Sequence, residues 1–227
     1  SINFSLLKRN NKLIQFIIIH YTGMKKESEA IKKLCNQKSK VSSHYFIKNN
    51  GEILILVPDL FEAWHAGKSR WGKYNKLNKY SIGVEIQNPG HDHGYKRFNT
   101  KQIYSLKKLL NYLIKKYKIN KKNILGHSDI APNRKKDPGE KFPWKYLAKN
   151  NLAGWHSMNE KIIKKYRNEK ISSKDESIFI KNLYKFGYSR HSKKDIVKAF
   201  QRKFRQDLID GKIDKECLII SKNLLKQ

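Results

Sequence analysis

The sequence predicts an α/β protein, with a central mixed β-sheet flanked by helices and a small three-helix unit at the C-terminus. Up to about residue 150, short apolar or alternating runs interleave with runs at helical spacing, the pattern of a sheet layered against helices. A polar, charged stretch then breaks that pattern. Beyond it, three helix-length segments follow one another with no strand between them. These observations divide the chain into a first domain at 1–154, a linker at 155–175 and a helical domain at 176–227.

"LIQFIIIH" (13–20) is a continuous apolar run rich in branched residues and ending in His20, which favours a buried strand. "SEAIKKLCNQK" (28–38) places Ile31 and Leu34 at helical spacing, with Ser28 as a candidate N-cap. Residues 42–58 read as a hairpin, because two strand-like runs flank Asn49-Asn50-Gly51, a strong turn signal. "YSIGVEIQN" (80–88) alternates: Ile82, Val84 and Ile86 face one way, Ser81, Gly83 and Glu85 the other. The clearest helix is 100–117, with Thr100 as candidate cap and Ile103, Leu106, Leu110, Leu113 and Tyr117 on one stripe. A short strand at 122–127 ends in His127. In the C-terminal part, 178–188 is a helix stopped by Gly187. A second helix, 192–206, is capped by Ser192 and buries Ile196, Val197, Phe200 and Phe204; a third covers 217–225.

With 38% hydrophobic residues the 227-residue chain can bury a real core, which excludes global disorder. The net charge of +31 favours a polyanionic partner: nucleic acid, an anionic membrane surface or an acidic wall polymer. The excess is spread along the chain, and no basic docking motif for nucleic acid is visible. No apolar run approaches the roughly 20 residues of a membrane span. No signal peptide is visible, but the first residue is Ser1 rather than Met, which leaves a targeting segment open. Cys35 and Cys217 lie far apart without a metal-ligand spacing and are expected to be free thiols.

The chemistry gathers at strand ends. His20 and His127 each close a predicted strand, and Asp137 follows ten residues after His127 in the Pro-bounded loop of "GHSDIAPNRKKDPG". Neighbouring strand ends converge at one sheet edge, and two imidazoles with one carboxylate suit Zn²⁺ with a fourth position open. From spacing alone, the same residues more often are hydrogen-bonded strand-end histidines and a turn-forming aspartate. There is no His-Glu-x-x-His motif.

Five motifs in order, "FIIIHYT", "VSSHYFIKNNGEI", "AWHAGKS", "YSIGVEIQN" and "GHSDIAPNRKKDPG", give the chain a family resemblance. Over roughly residues 13–148 it resembles the zinc-dependent N-acetylmuramoyl-L-alanine amidases of the AmpD/AmiD type, relatives of phage lysozyme-amidases and animal peptidoglycan recognition proteins. The tail, "LYKFGYS…IVKAFQRKFR…DGKID", resembles the small peptidoglycan-binding domain appended to AmiD-type enzymes.

The resemblance implies one Zn²⁺ per chain, held by His20, His127 and Asp137, with Glu85 as general base and Lys135 as partner of the tetrahedral oxyanion. It places Trp64 and His65 in the substrate cleft, offers Asn88, Arg70 and Arg134 to stem-peptide carboxylates, and leaves His44 as a structural or supporting residue. A fixed cation beside zinc should lower the proton affinity of Glu85. The implied substrate is peptidoglycan or muropeptides, including 1,6-anhydro forms. The tail module tilts the expectation towards polymer and towards the periplasm or cell envelope, with the cytoplasm as alternative. Tyr184, Phe186 and Tyr188 are candidate glycan contacts, and deletion of the tail is expected to spare small muropeptides while weakening polymer binding. A binding-only peptidoglycan receptor would be marked by a missing zinc ligand, and all are present here. A nucleic-acid-binding protein would explain the charge but none of the ordered motifs.

Overall fold

The structure, a computed structural model, describes residues 1–226. In chain order the strands are β1 (Phe4–Ser5), β2 (Phe16–Tyr21), β3 (Tyr45–Ile47), β4 (Ile53–Ile55), β5 (Glu62–Ala63), β6 (Arg70–Trp71), β7 (Tyr74–Asn75), β8 (Ser81–Ile86) and β9 (Ile124–Gly126). The α-helices are α1 (Glu27–Cys35), α2 (Thr100–Tyr117), α3 (His127–Ile130), α4 (Trp144–Lys149), α5 (Glu160–Ile163), α6 (Ser173–Phe186), α7 (Lys193–Phe204) and α8 (Lys215–Leu224).

The central sheet has the order β4-β3-β8-β2-β9. β3, β8, β2 and β9 run parallel, and β4 is an antiparallel edge strand joined to β3 by the Asn-Asn-Gly turn. The parallel register sets His20 beside Glu85. Both therefore stand at the carboxyl ends of neighbouring strands on the same face, because side chains alternate along a strand and paired residues share a side.

The two faces bury different partners. Ile17, Ile19, Ile82, Val84 and Ile86 pack against Leu106, Leu109, Leu110 and Leu113 of α2. This is the face the alternation in "SIGVEI" predicts, and the α2 stripe matches its predicted spacing, with Ile103 and Tyr117 at its partly buried margin. On the opposite face, Phe16, Ile18 and Leu125 join Phe179, Leu183, Ile196, Val197, Phe200 and Phe204 of α6 and α7 in one apolar cluster. The three C-terminal helices thus cover the amino-terminal half of that face and leave its carboxyl half open. α1 closes the side by packing Ala30 and Leu34 on Phe46.

The sequence favours Thr100 as cap of α2, but the structure uses Asn99, one residue earlier. Asn99 accepts the Gln102 backbone N–H at 2.9 Å, and Gln102 Oε1 accepts the Asn99 N–H at 3.1 Å. That reciprocal box satisfies two otherwise orphaned donors. Likewise α1 begins at Glu27, after Lys26 and with no side-chain cap, rather than at Ser28. Within 159–177, read from sequence as polar linker or exposed helix, the chain forms α5, a 3₁₀ turn at Lys164–Tyr166 and the start of α6. Both cysteines are free. Among the described residues no helix is long and apolar enough to cross a membrane.

Candidate active site

The open half of the sheet face is the floor of a cavity of about 570 Å³. His20 reaches it from the end of β2, Glu85 from the end of β8, and His127 and Asp137 from the segment that follows β9. Gly126 leads directly into α3, so His127 is fixed by both the strand and the helical turn.

The donor atoms converge. His20 Nδ1 lies 2.9 Å from Asp137 Oδ2 and 3.0 Å from His127 Nδ1, and His127 Nδ1 lies 3.1 Å from the same carboxylate oxygen. Ligand atoms of all three residues fall within 4.8 Å of one another, and all three residues are buried.

Hydrogen bonding behind the imidazoles sets their tautomers. His20 Nε2 lies 3.0 Å from His65 Nδ1, and His65 Nε2 lies 3.2 Å from Ser81 Oγ, which donates to the Leu77 carbonyl at 2.5 Å. A carbonyl only accepts, so the direction of the chain is fixed from its end. Ser81 gives its proton to Leu77, accepts from His65 Nε2–H, and leaves His65 Nδ1 to accept from His20 Nε2–H. His20 Nδ1 then carries a lone pair. His127 Nε2 likewise meets the Ala66 carbonyl at 3.1 Å, nearer than the Arg134 Nη2 donor at 3.3 Å, and donation to that carbonyl leaves His127 Nδ1 a lone pair. With both imidazoles neutral, two lone pairs and a carboxylate oxygen face each other, an arrangement that needs a shared cation. Burial, with the charge of His127 adding, lowers the His20 pKa to about 4 against the hydrogen bond and charge of Asp137. Burial also opposes the Asp137 charge, but when the rings are protonated the charge of His127 and hydrogen bonds from His127 and His20 more than offset it and hold that carboxyl well below the usual range. Neutral nitrogens and an ionised carboxylate are the states a metal ion takes.

Glu85 is only half-buried as a residue, yet its Oε2 is cut off from solvent and has no hydrogen-bond partner among the described residues. Burial raises its pKa to about 8; Asp137 adds to the rise, and Lys135 and Lys33 oppose it. The sequence leads one to expect a lowered proton affinity from Lys135. That contribution is present, but desolvation is larger. Lys135 lines the same cavity, and its ammonium makes no ion pair or hydrogen bond among the described residues.

The other candidates separate. Trp64 lines the cavity. His65 also reaches its wall, but both ring nitrogens are spent in the chain behind His20, so it supports a donor rather than meeting substrate. Its ring fills the space where a Cβ on Gly83 would come within 2.4 Å, so glycine at that strand position leaves room for it. His44 is structural: its Nδ1 accepts the Gly83 N–H at 2.9 Å, and its Nε2 meets the Phe61 carbonyl at 3.0 Å. Asn88 does not reach the cavity, because its amide donates to Lys96 O at 2.8 Å and its Oδ1 accepts the Gly90 N–H at 3.1 Å. Arg70 lines a separate groove of about 830 Å³ between the sheet domain and α6. Arg134 lines both cavities. Its Nη2 donates to Ala66 O at 2.5 Å and Lys68 O at 2.7 Å, and Nη1 has no hydrogen-bond partner among the described residues. Of the tail aromatics, Tyr188 is a core residue, and Tyr184 and Phe186 pack at the margin of the same cluster. Sequence reasoning missed Ser81, whose part in the hydrogen-bond chain has no local motif.

The sequence model of the N-acetylmuramoyl-L-alanine amidase family matches residues 9–140. The chain is 32% identical to the N-acetylmuramoyl-L-alanine amidase AmiD of Escherichia coli K12, covering 94% of this chain and 83% of that protein. It is 40% identical to the 1,6-anhydro-N-acetylmuramyl-L-alanine amidase AmpD of Haemophilus influenzae, over 48% of this chain and 58% of that protein. Among solved structures it is similar to E. coli AmiD, with a TM-score of 0.83 and 30% identity over 98% of this chain and 91% of that one. It is also similar to AMPDH3 of Pseudomonas aeruginosa, with a TM-score of 0.84 and 28% identity over 98% of this chain and 94% of that one. The paired strand-end histidines, the buried carboxylates beside them and these matches agree: this chain belongs to the N-acetylmuramoyl-L-alanine amidases, hydrolases of the bond between N-acetylmuramic acid and L-alanine.

Proposed function

We propose that the enzyme is zinc-dependent, that His20, His127 and Asp137 hold the metal, and that Glu85 and Lys135 act on the scissile amide of muropeptides. The observation that carries this reading is the meeting of His20 Nδ1, His127 Nδ1 and Asp137 Oδ2 within 4.8 Å. Two neutral imidazoles and a carboxylate suit a four-coordinate Zn²⁺ with one position left open. When bound, zinc supplies a Lewis acid for the carbonyl oxygen and raises the acidity of water.

The chain's own groups do the rest. Glu85 takes a proton from the attacking water as its oxygen bonds to the lactyl carbonyl carbon. It then delivers that proton to the nitrogen of L-alanine as the C–N bond breaks. The unpaired ammonium of Lys135 stabilises the negative charge that develops on the carbonyl oxygen. Trp64 offers an apolar wall, and the free Nη1 of Arg134 suits a stem-peptide carboxylate.

Substrate form is supported by the similar structures: E. coli AmiD holds anhydro-N-acetylmuramic acid-L-Ala-D-γ-Glu-L-Lys, and AMPDH3 holds an anhydromuramic pentapeptide. Anhydro-muropeptides are therefore within the proposed range. Polymer as substrate places the enzyme in the periplasm or at the cell envelope, and recycled fragments place it in the cytoplasm. Mass spectrometry of products from sacculi and from anhydro-muropeptides tests this. Stem peptides with a free L-alanine amine are expected, and a chelator is expected to suppress them. Absence of such peptides from both substrates would refute the reading.

The hydrogen-bond chain gives its own expectation. His65→Phe keeps a ring of similar size but removes the acceptor for His20 Nε2–H. Zinc affinity should fall roughly 10–100-fold, the usual cost of losing an outer partner of a metal-bound imidazole. Chelator competition reads this directly, and wild-type affinity in His65→Phe would remove His65 from that role.

A further inference from the structure

The stretch from His127 to Asp137 carries two of the three proposed metal donors, and side chains from the C-terminal part of the chain hold it at both ends. At its start stands Lys203, in the last turn of α7, with 3% exposure. Lys203 Nζ donates to the Ile124 carbonyl at 3.0 Å and to Asp129 Oδ2 at 3.1 Å, and lies 4.4 Å from the centre of the Trp144 ring. Asp129, 1% exposed, also accepts the Gly126 N–H at 2.8 Å on Oδ2 and the Tyr188 hydroxyl at 2.8 Å on Oδ1. Its carboxylate therefore ties the backbone just before His127 to two residues of the tail. Just beyond the stretch, Gln206 Nε2 donates to the Glu140 carbonyl at 2.6 Å and the Phe142 carbonyl at 2.7 Å.

The two donors are also linked to each other. The Ser128 N–H donates to the Asp137 carbonyl at 2.9 Å. A Cβ on Gly126 would come within 2.7 Å of Pro138 Cδ, so the Pro138 ring lies close against the Gly126 backbone. A shift of the Gly126–Asp129 turn would carry both donors with it. A module that only tethers an enzyme to a polymer has no need of a fully desolvated ammonium beneath a metal-binding turn, since such a charge is costly unless it is fully paired. An interface between mobile domains would also be more polar than the shared apolar cluster seen here.

We propose that the C-terminal helices complete the catalytic centre. Lys203, braced through Asp129 and Tyr188, is a positioning residue that holds His127, and through it Asp137, in the geometry that binds metal. This rests on the metal reading above. It also reverses the expectation that tail deletion spares small muropeptides, because the deletion would remove Lys203 and Gln206 together.

The test uses full-length protein loaded with Co²⁺, whose visible spectrum reports coordination geometry. Lys203→Met should bind Co²⁺ roughly 10–100-fold more weakly, with an altered spectrum and unchanged far-ultraviolet circular dichroism. Gln206→Ala, at a half-buried site, should show a smaller loss in the same direction. If Lys203→Met does not fold, Gln206→Ala decides. Wild-type affinity and spectrum in the folded variants would overturn the proposal. Failure of the wild-type protein to bind Co²⁺ would instead overturn the metal reading itself.

Discussion

Glutamine in place of Glu85 is expected to lower turnover of an anhydro-muropeptide by roughly 10²–10⁴-fold, the range general acid–base catalysis contributes. Metal content should stay at the wild-type level. The separation follows from the geometry. Glu85 stands beside His20 in the β2–β8 register, yet its oxygens are not among the three converging donor atoms. Its Oε2 is shielded and unpartnered, the state of a group kept for a ligand rather than for the fold. Glutamine keeps the volume and removes the proton acceptor, so substrate binding should change little and the loss should fall on kcat. Steady-state kinetics alongside metal analysis checks this. A Glu85→Gln enzyme turning over within tenfold of wild type would remove Glu85 from its proposed role.

Alanine in place of His127 or Asp137 is expected to lose both metal and activity. Each removes one of the three proposed donors, so the drop in affinity should exceed the roughly 100-fold that follows loss of an outer hydrogen bond. The two variants should differ in stability. Without metal, Asp137→Ala removes a buried carboxylate that faces two imidazole lone pairs, whereas His127→Ala keeps that buried charge uncompensated, the more costly condition. Thermal unfolding in the presence of chelator should therefore rank His127→Ala below Asp137→Ala. Near-complete hydrolysis by either variant would show that the three-residue constellation does not hold the catalytic metal.

The sheet domain was legible because its residues obey strong local rules. "FIIIH" is too uniformly apolar for a one-sided strand and proves to be a central parallel strand. "SIGVEI" alternates because its two faces meet different partners: α2 on one side, the open cavity and His65 on the other. Strand-end placement of His20, Glu85 and His127 followed directly from those strands. Asp137 was legible only through its motif, since the path from α3 to it is irregular. Asn88 misled because an asparagine after a strand looks available, whereas its amide is consumed by its own loop. His65 misled for the opposite reason: it lies at the cavity wall, but its chemistry points backwards to Ser81, sixteen residues away and unmarked by any pattern.

The union of the tail with the sheet was the least legible feature. Helical spacing marked Phe200 and Phe204 as buried, but spacing cannot say whether they bury against their own bundle or against Phe16, Ile18 and Leu125. Lys203 was invisible among fifty Lys and Arg. Its burial and its contacts with Asp129, the Ile124 carbonyl and the Trp144 ring distinguish it from a solvated cation.

The most direct measurement is a zinc titration of chelator-stripped enzyme, followed by release of stem peptide from a muropeptide. No turnover is expected without metal, followed by a linear rise to one equivalent of zinc per chain and a plateau beyond it. Full turnover in the stripped enzyme, or a rise that needs more than one equivalent, would contradict the single His20–His127–Asp137 centre.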